Sequence, residues 1–200
     1  LQRMTHGCEL VTIGELVSTG VIDLQTGDEV GKLAYGGGDV GFVRTSDFGN
    51  WELKHDPKQR VSDEIYDEYS GKQSAEVDDI LLVRDGTYLV GSTTIVQADD
   101  LPLLFSGGIY RLRIKKRDIL SPALLLALLN MRVVKRQMRN KQFTRDVIDT
   151  LGHRLLEIML PIPSDARGRE AISSAMENLL TVRATLRRRA TLLATDTEAA

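Results

Sequence analysis

The C-terminal stretch constrains this chain most. Ile172, Leu179, Leu186 and Leu193 recur every seven residues, and Met176, Arg183 and Ala190 fall four after the first three. That spacing places an apolar stripe along one side of a single amphipathic helix of about three to four heptads. Such a helix needs a partner to cover the stripe. The partner is either the preceding domain or a second helix from another chain or repeat. Pro161 and Pro163 set a boundary ahead of it. The expected organisation is a domain over 1–164, a coiled-coil or spacer helix over 165–195 and a short disordered tail over 196–200.

The 200 residues suit one domain with an appendage, and an apolar fraction of 42% is enough for a packed core. A single cysteine, Cys8, excludes an internal disulfide and suits a reducing compartment. The longest apolar run, "ALLLALLNM" from Ala123 to Met131, is far too short for a membrane span. The first residues carry no signal-peptide pattern. The chain opens on Leu1 rather than Met, which leaves room for it to be a piece of something longer.

Net charge is only −2, but it is unevenly distributed. Residues 1–100 hold 8 basic and 19 acidic side chains, a net of −11, and residues 101–200 hold 18 and 9, a net of +9. From Arg111 to Arg145 there are 11 Lys or Arg and one acid, Asp118. This asymmetry points to nucleic acid as a partner. The alternative is a basic face that docks on the acidic half of the same molecule.

Along the chain, "CELVTIGELVSTGVIDL" reads as a short element with a turn at Gly20, and the glycine-rich stretch from Gly27 to Gly41 reads as a loop. The loop lacks a GK[ST] ending and is no phosphate cradle. "GFVRTSDF" is a strand leading into a turn, and a short helix is expected over roughly Ser62 to Tyr69, with Ser62 as N-cap and Gly71 beyond its end. "DDILLVRDGTYLVGSTTIV", Asp78 to Val96, supplies two strands, "ILLV" and "LVGSTTIV", joined by a charged turn. "LLFSGGIYRLRI" supplies one or two more, interrupted by Gly107 and Gly108. At Ser121 the period changes: "SPALLLALLNM" has Ser as N-cap and Pro at the first helical position. "VVKRQMRNKQ" continues as a second helix with a basic face, and "RDVIDTLGHRLLEIMLPIP" ends in a strand.

Enzyme signatures are missing. There is no G-x-S-x-G, H-E-x-x-H or C-x-x-C. His6, His55 and His153 are scattered, so neither a metal nor a cofactor is expected. Glu52-x-Lys54 resembles the tail of a metal-nuclease signature, but Asp47 lies too near for a strand-to-strand pair, and a solvated strand edge is the better reading. No Asn-Pro-Pro-aromatic tetrad is present, so the chain cannot by itself be an ordinary adenine methyltransferase.

The ordered series "DDILLVRDGTYLVGSTTIV", "LLFSGGIYRLR", "SPALLLALLN", "RQMRNKQFTRDVIDTLGHRLLEIMLPIP" and a heptad helix resembles a target recognition domain of the specificity subunits of type I restriction–modification systems. It is similar also to the recognition domains attached to some adenine-specific DNA methyltransferases. The resemblance covers nearly the whole chain, weakly around "TIGELV" and strongly from Phe42 onward. It implies an α/β (α+β) fold with a mixed, partly barrel-like sheet and small helices, followed by the long helix. It implies that the domain binds half of a double-stranded DNA target and that its helix pairs antiparallel with an equivalent one as a spacer. Catalysis would sit in separate methyltransferase and nuclease subunits of a bacterial or archaeal cytoplasmic complex, and this chain would not itself be an enzyme. A complete specificity subunit carries two domains and two helices, whereas this chain has one of each, so it is a half-subunit that dimerises or a fragment.

Sequence-specific binding requires phosphate contacts for register and side chains that reach base edges for choice. Polar groups on turns between rigid strands can do the second. Three segments have that composition: Arg44, Thr45, Ser46, Asp47 and Asn50; Arg84, Asp85, Thr87 and Tyr88; and Lys141, Gln142, Thr144 and Arg145. Plainer roles stand beside these. Arg84 and Asp85 can merely shape their turn, Trp51 and Phe143 suit core anchors, and "LRRRA" from Leu186 to Ala190 suits a solvated helix face. Dimerisation is assigned to Ile172, Met176, Leu179, Leu186 and Leu193. Two rival readings remain: the recognition end of a fused methyltransferase or restriction–methylation enzyme, and a coiled-coil adaptor that binds no DNA.

Overall fold

The computed structural model describes residues 7–31, 34–54, 57–86, 88–145 and 148–198, with the side chains of 145, 148 and 194–198 left out of the description. Thr87 and His55 lie outside it, as does Asp146. The chain starts with β1 (Cys8–Thr12), α1 (Ile13–Ser18) and β2 (Ile22–Thr26). Thr12 caps α1 reciprocally with Glu15, each satisfying the other's backbone N–H. Next come β3 (Val40–Val43), β4 (Arg60–Val61), α2 (Asp63–Gln73), β5 (Ile80–Val83) and β6 (Thr93–Ile95). The second half holds β7 (Leu103–Phe105), β8 (Ile109–Ile114), α3 (Pro122–Asn130) and α4 (Arg132–Lys141), then β9 (Phe143–Arg145), β10 (Ile148–Thr150), β11 (Met159–Pro163) and α5 (Ala166–Glu198).

The fold is mixed α/β with several sheets and a long terminal helix. An antiparallel sheet runs β2-β8-β5-β6, and a second sheet runs β4-β3-β7, with β3 and β7 parallel. β1 pairs antiparallel with β11, and β9 pairs with β10 as a hairpin. Among the described residues no sheet closes into a barrel. β5 lies inside the four-stranded sheet, and all of "ILLV" is buried, with Ile80 and Leu82 in one core cluster and Leu81 and Val83 in another. A fully buried strand reads as a continuous apolar run, and this one does.

Helix α3 is apolar all round: of its nine residues only Ala127 and Asn130 are not buried. Ser121 accepts the Leu124 N–H at 3.1 Å and Pro122 opens the helix, as the sequence predicts. It packs between the four-stranded sheet and α5. Each leucine buried there contributes about 1.5–3 kcal/mol.

Some elements differ from the sequence expectation. The strand predicted over "LVGSTTIV" shrinks to Thr93–Ile95, because Gly91 turns at φ +82° and Ser92 N–H bonds Leu89 O at 2.8 Å. Helix α2 continues past Gly71 to Gln73, whose buried Oε1 accepts Phe105 N–H at 3.1 Å. That contact fastens the helix end to β7 and outweighs the glycine. Gly27 lies so close to the Phe105 carbonyl that an added Cβ would stand 2.2 Å from it, which explains a glycine where β2 ends.

The heptad stripe of α5 is split. Ile172 and Met176, with Leu180, pack against the core around α3. Leu179, Val182 and Leu186 face outward at 38, 58 and 59% exposure. Arg183 among them and Arg187 and Arg188 just after them bind this chain's own domain: Arg183 to Glu52 at 2.5 Å, Arg187 to Asp100 at 2.8 Å and Arg188 to Asp99 at 2.9 Å. The "LRRRA" segment is therefore docked by two of its arginines rather than wholly solvated. Glu52 is no free strand edge either, since its side chain is half-buried under α5. The helix runs on to Glu198, into the stretch assigned to a tail.

Two polar features hold the outer elements. Asp79, 1% exposed, accepts Arg113 Nε and Nη2 at 2.8 and 2.7 Å and the Glu76 N–H at 2.8 Å. Lys135 of α4 donates to the Gly91 carbonyl at 2.6 Å, and Gln137 exchanges two hydrogen bonds with the Met159 backbone, so α4 is clamped between the 89–92 turn and β11. Burial lowers the Lys135 pKa to about 8. The unfolded chain therefore binds one more proton than the folded one between about 8 and the ordinary lysine value, and stability from this group rises with pH across that window. In urea titrations, wild type should gain on the order of 2 kcal/mol over Lys135→Met between about pH 7.5 and 10. A difference independent of pH would mean that the ammonium is solvated. Asp79→Ala should cost about 2–3 kcal/mol by the same measurement, because it takes one of two acidic partners from Arg113, which keeps Glu76, and leaves the Glu76 N–H without its acceptor; a loss under about 1 kcal/mol would mark the pair as an ordinary surface one.

Candidate nucleic-acid interface

The basic run divides in two. Arg111 is 3% exposed, ion-paired with Asp23 and bonded to the Ser74 carbonyl at 3.1 Å. Burial and the neighbouring Arg113 lower its pKa. Arg113 binds Asp79, Glu76 and the Ser74 carbonyl, and Arg117 binds Asp78 at 2.9 Å. Internal docking of basic on acidic residues thus accounts for the first part of the run. The second part is different. Arg132, Arg136 and Arg139 stand at i, i+4 and i+7 on α4, all exposed, with no side-chain hydrogen bond or ion pair among the described residues. Three exposed guanidinium groups on one helix face form a strip of positive potential. None of the three was among the sequence-predicted site residues, although their spacing in "RVVKRQMRNK" carries the signal.

The predicted residues fall into several environments. Asp47 is 2% exposed and accepts the Arg44 N–H at 2.9 Å, so it shapes its own turn and is buried in doing so. Arg44 is half-buried, and its Nε has no partner. Thr45 is half-buried, whereas Ser46 and Asn50 are exposed. Trp51 packs against the main core, as the anchor reading has it. Arg84 and Asp85 bind each other at 2.9 and 2.6 Å, and Asp85 accepts the Thr150 hydroxyl at 2.5 Å. The turn is therefore no simple hairpin, because Asp85 and Gly86 pair with β10 instead. Thr87 lies outside the described residues, and Tyr88 beyond it is 94% exposed. Lys141 pairs with Glu157 at 2.5 Å, Gln142 donates to the Val90 carbonyl at 3.5 Å and Thr144 donates to Asp149 at 2.9 Å. Of Arg145 only the backbone place in β9 is described.

The structure thus brings the second and third predicted segments together, through β9–β10. It brings the first near them too, since an added Cβ on Gly108 would touch both Thr45 and Asp85. Between the sheet and the hairpin opens a cleft of about 520 Å³, with Leu24 and Thr26 of β2, Tyr110 of β8, Arg84, Phe143 and His153 on its walls. The Arg84 guanidinium lies 5.5 Å from the Tyr110 ring centre, and the Arg154 guanidinium 4.6 Å from that of Phe143. Asp85 raises the Arg84 pKa, and burial raises that of Tyr110. Phe143 is 36% exposed, more open than a core anchor. Among the described residues no group of three His, Cys, Asp or Glu could hold a metal ion, and no helix is long and apolar enough to cross a membrane.

No family model matches the chain, and no curated protein matches it either. Solved structures do. A type I restriction–modification S subunit from M. genitalium aligns over 90% of this chain and 42% of its own length, with a TM-score of 0.58 and 15% identity. A chain from a structure of the complex assembly and conformational transition of a type I R-M system aligns over 92% and 40%, with 0.58 and 20%. An HsdS subunit from Thermoanaerobacter tengcongensis aligns over 92% and 40%, with 0.56 and 20%. The chain thus spans about two fifths of the length of each of these proteins. What it shares with them is the fold: an α/β domain with a trailing long helix, as found in the S subunits of type I restriction–modification systems.

Proposed function

We propose that this chain is a non-catalytic recognition module that binds one half of a double-stranded DNA target and directs separate methyltransferase and nuclease subunits. The observation that carries the reading is the strip Arg132, Arg136 and Arg139 in a fold like that of S subunits, beside a hairpin and loop rich in polar side chains. The strip contacts phosphates and sets register. Base choice falls to the exposed and half-exposed polar groups around it and on the neighbouring turns: Ser46, Asn50, Tyr88, Lys141, Gln142 and Thr144, with Thr87 and Arg145 retained from the sequence pattern. Arg84 and Asp85 support the site from beneath, and Asp47 holds the first turn. The setting is a bacterial or archaeal cytoplasm.

The outward stripe of α5 is where a second recognition unit joins. Leu179, Val182 and Leu186, continued by Leu193, alternate at the three- and four-residue spacing of a coiled-coil seam. The partner is an equivalent helix, antiparallel, from a second copy or a second repeat. Ile172 and Met176 leave this seam, because they are committed to the chain's own core.

Selection of bound duplexes from a random library tests the reading. Enrichment of a motif of roughly 3–5 base pairs, alone or as a spaced inverted pair, is expected; recovery without enrichment would leave only a basic surface. Replacing Arg132, Arg136 and Arg139 together by Gln should flatten the slope of log affinity against log salt by about 0.9 for each phosphate that is no longer neutralised. An unchanged slope would place DNA on another face. Leu179→Glu with Leu186→Glu should turn a dimer into a folded monomer in sedimentation, and a wild type already monomeric would remove the self-pairing form of the proposal.

A further inference from the structure

The cleft between the sheet and the β9–β10 hairpin contains unspent chemistry of one kind. Asp85 is saturated: its Oδ2 accepts Arg84 Nε and Nη2, and its Oδ1 accepts the Thr150 hydroxyl. Thr150 Oγ1 in turn accepts the Gly152 N–H at 3.0 Å. Among the described residues the only carboxylate on the cleft wall is therefore occupied, and the cleft offers nothing to a cation. Donors remain. Asp85 takes Arg84 Nε and Nη2 and leaves Nη1, which carries two N–H groups; the guanidinium is held by that carboxylate and by a side-chain hydrogen bond and a ring contact with Tyr110. Tyr110 and Thr26, which stand opposite each other on β8 and β2, line the same cleft, and each carries a hydroxyl group. The remaining surface is leucine and flat π-systems, Phe143 and His153 among them.

We infer that this cleft is a binding site for a nucleobase, a flat heteroaromatic ring whose acceptor edge meets Arg84 Nη1 and whose faces meet Tyr110 and Phe143. The volume, about 520 Å³, is in the range of small-ligand sites and well above what one ring needs. Arginine reads acceptor atoms on base edges, and aromatic rings stack on bases of any sequence. A cation finds no free carboxylate. An aliphatic side chain would cover the Arg84 donor without giving it an acceptor. Phe143 follows directly on α4 and its basic strip, so the aromatic wall of the cleft continues the surface assigned to phosphates. The ring can come from a base unstacked out of bound DNA or from a free nucleotide. The inference deepens the DNA-recognition reading and rests on it only for the first source.

The test uses the full chain and two probes. In the first, dGMP, dTMP, dAMP and dCMP are titrated separately while backbone amide resonances are followed, with deoxyribose 5-phosphate as the probe that lacks a base. At least one nucleotide should saturate at a dissociation constant of about 1 mM, a modest efficiency for a single ring. The shifts should centre on Gly86, Tyr110 and Gly152, and the sugar phosphate should give none there. Thr26→Trp, which fills the cleft from β2, and Phe143→Ala, at a part-exposed wall, should each weaken binding at least about tenfold with the melting midpoint kept. Two variants at separate walls guard against one that fails to fold. In the second, duplexes carrying one extrahelical 2-aminopurine report by fluorescence. Quenching by wild type and not by Thr26→Trp assigns the site to an unstacked base of DNA. Nucleotide shifts with unchanged duplex fluorescence assign it to a free nucleotide. A chain that binds duplex DNA but gives neither response overturns the inference and leaves the recognition reading intact. Nucleotide shifts in a chain that binds no duplex at all sink the recognition reading instead.

Discussion

Helix α3 has no polar face to show to water, so its neighbours are arranged to cover it. The four-stranded sheet covers one side, and α5 lies along another, with Ile172, Met176 and Leu180 turned inward. β11 pairs with β1 and leads into α5, so both ends of the folded domain meet at the same place. This constraint explains why the terminal helix is not a free appendage. Its first turns belong to the domain core, and only beyond them does the outward stripe take over.

Charge is arranged on a similar division. Arginines that lie over the sheet are consumed by acids of the N-terminal half, with Arg111 and Arg113 sharing Asp23, Glu76 and Asp79. Arginines of the second half of α5 are consumed by Glu52, Asp99 and Asp100. Close pairs of this kind exert little field at a distance, because each cation has its anion beside it. The field that reaches outward comes from the cations left over, and α4 holds three of them on one face. A charge count along the chain cannot separate these groups; only the fold shows which acids lie within reach.

Much of the fold was legible in the sequence because local chemistry and burial agree there. Ser121-Pro122 starts α3, "ILLV" is a buried strand, and the heptad repeat is a helix. Where a distant contact decides, the sequence was silent. Gln73 extends α2 only because Phe105 offers an N–H, and Gly91 cuts β6 short where α4 presses on the preceding turn. The site was legible in outline. Two of the three polar segments meet across β10, but the pattern that suggested base contact, Arg84 beside Asp85, is also the pattern of a self-contained ion pair, and the second is what the side chains form. The spacing of Arg132, Arg136 and Arg139 was visible, yet Lys135 and Lys141 stand in the same run, and nothing in the sequence tells that these two are engaged and the arginines are not.

The way α5 is fastened bears on how two recognition units could be spaced. A helix joined to its domain by a linker alone would let the two swing, and the distance between half-sites would be loose. Here apolar packing holds the first part and three arginine–acid contacts hold the second, so the outward stripe keeps a fixed azimuth relative to the domain. Arg187 and Asp100 are the most buried of these pairs, and a buried pair resists rotation because breaking it strands both charges. The rigid element is thus the domain together with the helix. A second helix seated on Leu179, Val182 and Leu186 would inherit that geometry, and the spacing between two bound half-sites would follow from side-chain contacts within each chain as much as from the length of the helix.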